Sequence, residues 1–199
     1  ILASGTNSER LNTLKQLQVR DGFITLRSIP GLPDIRFRNH ERIELVLTKL
    51  VQDSTTEVGW VAMDILSSCN NTRAAGVYSA LTPESPPGIV RAALKGLARN
   101  PSPEALQSVV KLYERYQNDW SIRLAVTRAL FRKNMDVDSA TSRIASALLQ
   151  DEYKAVRLGA LRAIASARLT TIFESEIHTR LSLDPDPTIR SFARTLLSE

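Results

Sequence analysis

Five segments of this 199-residue chain open in the same way: VGWVAMDIL (58–66), VRAALKGLA (90–98), IRLAVTRAL (122–130), VRLGALRAI (156–164) and IRSFARTLL (189–197). Each begins on a β-branched residue, Val58, Val90, Ile122, Val156 or Ile189, at intervals of 32, 32, 34 and 33 residues. Arginine follows in four of them, as Arg91, Arg123, Arg157 and Arg190, and Gly59 takes its place in the first. Small or apolar side chains recur three, four, seven and eight positions on, as with Gly159, Ala160, Ala163 and Ile164. That spacing puts them on one face of an α-helix. A unit this short cannot bury such a face alone, so a regular repeat commits the chain to stacking like units on one another.

A second family of helical patterns alternates with the first, over 40–52, 73–81, 103–116, 138–149 and 170–183. Their starts carry cap chemistry: Ser102 precedes Pro103 and Glu104, and Asp138 precedes Ser139. Turn segments rich in Pro and Asp (TPESPPG, QND, QDE, DPDP) lead into each later second helix. The units then run about 39–69, 73–99, 102–133, 136–167 and 169–199. SERLNTLKQL (8–17) reads as one more helix. Residues 20–42 break the rhythm, because Pro30 and Pro33 forbid a continuous helix and FITLRSI alternates like a short strand. Residues 1–38 are thus expected to be an N-terminal helix with an irregular capping segment, and 39–199 the repeat array.

A helical pair of this period, with Asp or Pro in its turn and then Val/Ile-Arg-x-x-Ala-x-x-x-Leu, resembles the HEAT repeat and its bilin-lyase-type HEAT-like variant. The resemblance covers roughly residues 39–199, in four good copies and one poorer. Tetratricopeptide repeats share the length, but their Trp, Gly, Tyr and Pro positions are not met. The resemblance implies an all-α fold, a right-handed α-solenoid of about five helical pairs. It also implies a structural role for Arg91, Arg123, Arg157 and Arg190, which would brace neighbouring units, with Asp119, Asp151 and Asp186 as their partners or as helix caps. Binding would use the surface lined by the second helices.

Composition narrows the function classes. Hydrophobic residues make up 43% and aromatics only 6%, which favours close-packed helices over a β-sandwich. The net charge of +5 is mild and no basic tail is present, so charge alone names no nucleic-acid partner. Cys69, the single cysteine, permits neither an intrachain disulfide nor a thiolate metal cluster, and leaves the compartment open. No apolar run reaches the length of a membrane span. A start at Ile1 rather than Met suggests a fragment or a processed product.

A catalytic constellation is not recognised. His40 and His178 are far apart and sit in no metal-ligand spacing, and the eight glycines form no phosphate loop. The pairs Asp136/Asp138 and Asp184/Asp186 fall in turns, where capping accounts for them. The expectation is a non-enzyme without cofactor or metal.

Two candidate binding regions stand out. Five or six positions after each β-branched residue come Asp64, Lys95, Arg128, Arg162 and Arg194, with Arg99, Arg132 and Lys133 one turn further on. From the second unit onward, stacking would align these cations into a ridge able to hold an acidic protein segment or a phosphate backbone. The bland reading is a solvated helix face. The other region is the 20–42 segment, where Arg27, Arg36, Arg38 and Arg42 cluster around Phe37. Its apolar residues suit a cap over the first repeat, with the arginines outward. Trp120, Tyr113, Tyr116 and Phe131 are candidate aromatic contacts, with core packing the commoner role. The leading expectation is an interaction scaffold for a protein partner or for other domains of its own chain. The alternative is a nucleic-acid binder, as in the HEAT-like DNA glycosylases. A bilin-lyase role has only the repeat type in its favour.

Overall fold

The computed structural model describes residues 2, 4–20, 23–26, 40–53, 57–68, 81–82, 84–99, 102–132 and 136–198. Among these residues the regular structure consists of ten helices and one short hairpin. In chain order they are α1 (Asn7–Gln16), β1 (Leu17–Arg20), β2 (Phe23–Leu26), α2 (His40–Asp53), α3 (Glu57–Ser68), α4 (Pro87–Leu97), α5 (Pro103–Tyr116), α6 (Trp120–Leu130), α7 (Ser139–Leu149), α8 (Lys154–Ala167), α9 (Glu174–Leu183) and α10 (Pro187–Ser198). Packing divides the chain into two compact units, Ile1–Ser108 and Val109–Glu199, the division falling inside α5. The boundary at 38/39 and the helical pattern over 73–80 lie outside the described residues.

In the N-terminal unit, α1 opens on a capping box. The Glu9 backbone N–H donates to Thr6 Oγ1 at 3.3 Å, and the Thr6 N–H donates to Glu9 Oε2 at 2.8 Å. The Thr6 N–H and then the Thr6 hydroxyl, both donating to Glu9 Oε2, hold the Glu9 carboxyl below its ordinary range. The helix stops one residue short of the sequence expectation. Leu17 begins a strand that pairs antiparallel with β2, Leu17 opposite Leu26 and Arg20 opposite Phe23. The alternation in FITL gave β2. Its partner was hidden because LQVR continues a helical pattern equally well, although Asp21-Gly22 between the two strands is a hairpin signal. Helix α3 packs against α1, α2 and α4, and buries Val58, Ala62, Met63 and Leu66.

In the C-terminal unit, α8 packs against α6, α7 and α10, and α9 packs against α7 and α10. The β-branched residues that open the second helices, Ile122, Val156 and Ile189, are 1%, 0% and 0% exposed, so the repeated position is a core position. Gly159 marks a close approach of α8 to α6. A Cβ there would stand 2.8 Å from Leu124 Cδ1 and 3.2 Å from Thr127 Oγ1. The positions five and six after the β-branched residue do not behave alike in every helix. On α6 and α8, Thr127 and Leu161, at the fifth, are buried, whereas Arg128 and Arg162, at the sixth, are exposed; on α10 Arg194 and Thr195 are both exposed. A helix turns 100° per residue, which is enough to separate core from surface at adjacent positions. Phe192 and Leu197 near the end of α10 are half-buried, and Leu196 is buried.

Candidate partner-binding groove

The turns before α6, α8 and α10 share one construction. Five residues before the β-branched position stand Gln117, Asp151 and Asp184, and three before it stand Asp119, Tyr153 and Asp186. Asp119 and Asp186 are helix caps. Asp119 Oδ1 accepts from the Ser121 and Ile122 N–H groups at 2.8 and 3.3 Å, and Asp186 Oδ1 from Thr188 and Ile189 at 2.9 and 3.3 Å. Lys154 Nζ lies 2.7 Å from Asp186 Oδ2. The lysine bond first, and then the cap bonds, lower the Asp186 carboxyl to about 2.

Asp151 and Asp184 do something else. Arg157 donates from Nε and Nη2 to Asp184 Oδ2 and Oδ1 at 2.8 and 3.0 Å, while its Nη1 donates to the Asp151 and Glu152 carbonyls at 2.8 and 3.0 Å. Arg123 repeats the pattern: its Nε and Nη2 hold the Asp151 carboxylate, and its Nη1 donates to the Gln117 carbonyl at 2.7 Å. Each aspartate also accepts an N–H from two residues on, Tyr153 to Asp151 at 2.8 Å and Asp186 to Asp184 at 2.9 Å. One guanidinium thereby ties its own turn to the turn one repeat later. The bidentate geometry strengthens each rung. Of the three acids expected as partners or caps, Asp151 is a partner and Asp119 and Asp186 are caps. Arg157 takes Asp184 instead, for which the sequence had suggested a capping role. Arg190 Nη1 donates to the Asp184 and Pro185 carbonyls at 2.7 and 3.1 Å. Arg91, in the N-terminal unit, is exposed beside Trp60 and Asp64.

The sequence also missed Tyr153. It stands where the other turns have a capping aspartate, stacks on Trp120 with ring centroids 5.5 Å apart, and lies under the Arg123 guanidinium at 5.5 Å. A tyrosine at an aligned cap position was the available signal. Phe131 is buried and meets Phe173 edge to face, so it belongs to the core. Tyr113 and Tyr116 are half-buried, and burial pushes the Tyr113 hydroxyl up from its ordinary range.

Between α6 and α8 runs a groove of about 500 Å³ lined by Leu124, Arg128, Phe131, Ala155, Leu158, Gly159, Arg162, Ala163 and Ser166. The small side chains Ala155, Gly159 and Ala163 follow one another at helical spacing along α8 and leave its floor open. Arg128 and Arg162 stand at the same repeat position on neighbouring helices. Among the described residues neither forms an ion pair or hydrogen bond. The N-terminal unit has a similar groove between α3 and α4, lined by Trp60, Asp64, Gly88, Arg91, Ala92 and Lys95. There Lys95 Nζ meets Asp64 Oδ1 at 3.0 Å.

The expected ridge is therefore uneven. Lys95 is paired across its groove. Arg99 and Arg194 are exposed. Arg132 departs from the expectation: α6 ends at Leu130, and the Arg132 side chain is half-buried with Nε donating to the Ala129 carbonyl at 3.3 Å. Burial pulls its guanidinium below the ordinary arginine range. Lys133 lies outside the described residues, as do Arg27, Arg36 and Arg38, and of Arg42 only the backbone, in α2, is described.

Among the described residues His178 is exposed, 3.9 Å from Glu174, and no group of three His, Cys, Asp or Glu side chains converges. No helix among them is long and apolar enough to cross a membrane. Comparison with family models, with curated proteins and with solved structures finds no match to this chain.

Proposed function

We propose that the chain is a HEAT-like helical-repeat array, a right-handed α-solenoid, that serves as a non-enzymatic scaffold and holds a protein partner against the surface lined by its second helices. The observation that carries this reading is the pair of equivalent rungs, Arg123 to Asp151 and Arg157 to Asp184. They fix successive second helices at constant register, as a stacked array requires. The same rungs occupy Arg123 and Arg157, at the starts of α6 and α8. The cations one and a half turns further on, Arg128 and Arg162, are left exposed over an apolar floor. A rigid frame that presents unpaired charge beside half-exposed leucines is organised for contact with another surface.

The test is co-purification from native extract, comparing the wild type with R128E/R162E. The reading expects a partner recovered in constant ratio with the wild type and lost from the variant while its helical circular dichroism is unchanged. Recovery of duplex DNA in place of protein, with a gel shift strongest at low salt, would replace the reading by nucleic-acid binding.

A further inference from the structure

The two grooves differ in one respect that points to a ligand. In the N-terminal unit Asp64 stands six residues after Val58, and Lys95 reaches it across the groove at 3.0 Å. That groove carries its own carboxylate, which Lys95 meets. In the C-terminal unit, position six after Ile122 is Arg128, and position six after Val156 is Arg162. Both sides are now guanidinium, and no carboxylate among the described residues pairs with either.

We infer that the α6–α8 groove is a docking site for an acidic protein segment, one carboxylate of which lies between Arg128 and Arg162 while a neighbouring apolar side chain enters over Leu124 and Leu158. This deepens the scaffold reading and rests on it. Arg128 and Arg162 line the same groove from its two helices, so the two arginines can share one carboxylate. Guanidinium forks suit that task, because each offers two parallel N–H donors to a carboxylate. Charge complementarity thus fixes the sign of the occupant. The floor fixes its other half. Leu124 and Leu158 are half-exposed and Phe131 closes the base. A polyphosphate backbone would leave that apolar surface wet, whereas an acidic residue beside a Leu, Phe or Met covers it. Two described cations near the groove are otherwise occupied: Lys154 is engaged by Asp186, and Arg132 is half-buried against the end of α6.

A phage-displayed library of random peptides panned on the full chain tests this. The inference expects enriched sequences with Asp or Glu next to a large apolar residue. Their binding should weaken with salt, and by at least about tenfold in R128Q/R162Q. R128K/R162K should recover part of the loss, since charge returns without the fork. Lysine and glutamine are both tolerated at an exposed helix position, and circular dichroism of each variant checks the fold. Enriched peptides that lack acids, or acidic ones that bind R128Q/R162Q as tightly as the wild type, overturn the inference. Either result leaves the scaffold reading intact, because binding then lies on another surface. No enrichment at all also overturns the inference, and the scaffold reading then stands or falls on the co-purification.

Discussion

Arg157 grips Asp184 through two parallel hydrogen bonds, with only 7% of the arginine side chain and none of the aspartate side chain exposed. The two residues belong to successive repeats, 27 positions apart. Desolvating both charges is costly, and further hydrogen bonds offset it: Nη1 donates to two carbonyls, and Oδ1 also accepts from the Asp186 N–H.

Removing Arg157 leaves the Asp184 carboxylate buried with only the Arg180 guanidinium near it, at 3.8 Å. Arg157→Met should lower unfolding free energy in urea by about 3–5 kcal/mol. The double variant Arg157→Met with Asp184→Leu should be more stable than the sum of the single losses predicts, because the orphaned carboxylate is gone too. Strict additivity would show that the two side chains are not coupled.

The rung one repeat earlier is wetter. Arg123 also reaches Glu152, whose side chain is 76% exposed, and water near that carboxylate can solvate whatever a mutation leaves behind. A double-mutant cycle on Arg123 and Asp151 should therefore return a smaller coupling than the cycle on Arg157 and Asp184, by about 1 kcal/mol or more.

Gly159→Val tests the close approach of α6 and α8. The added branches meet Leu124 and Thr127, and Thr127 Oγ1 is itself held on the Leu124 carbonyl at 2.7 Å. A loss of about 1–3 kcal/mol in thermal or chemical denaturation is expected. A variant as stable as the wild type would mean that the two helices can separate freely.

Asp186 predicts an acid-side effect. Its folded-state carboxyl is depressed to about 2, against an ordinary value of 3.8, so the stability it contributes is complete above the ordinary value and is lost as pH falls toward about 2. Carboxyl NMR titration should give a midpoint near 2 for Asp186, and Lys154→Met should move it upward, since the lysine bond is the largest cause of the depression. An unchanged midpoint in that variant would assign the depression to the cap bonds alone.

The helices were legible because their signals are local and repeated. A β-branched residue, a small-residue face and a capping Asp or Ser each bias the backbone within a few residues, and Asp138 caps α7 through the Thr141 N–H at 2.7 Å, where the sequence put it. Partner choice was harder. In DPDP both aspartates sit at plausible caps, and the difference between Asp184 and Asp186 lies two residues along a turn, where composition is blind. Only alignment of the turns shows that the rung position is five before the β-branched residue. The groove shows the same limit. Arg128, Arg162 and Lys95 look alike as exposed cations, and what separates them is whether an acid stands one repeat away, as Asp64 does for Lys95. The stacking of Trp120 on Tyr153 joins residues a full repeat apart, which no short window of sequence can display.

The double duty of each bracing arginine also sets how this half of the molecule comes apart under load. Pull on the C-terminus until α9 and α10 peel away, and Asp184 leaves with them. Arg157 then keeps its carbonyl bonds to Asp151 and Glu152 but loses its counterion in a nearly dry site. Separation of α9 and α10 would therefore cost stability in the turn before α8 as well as at the seam itself.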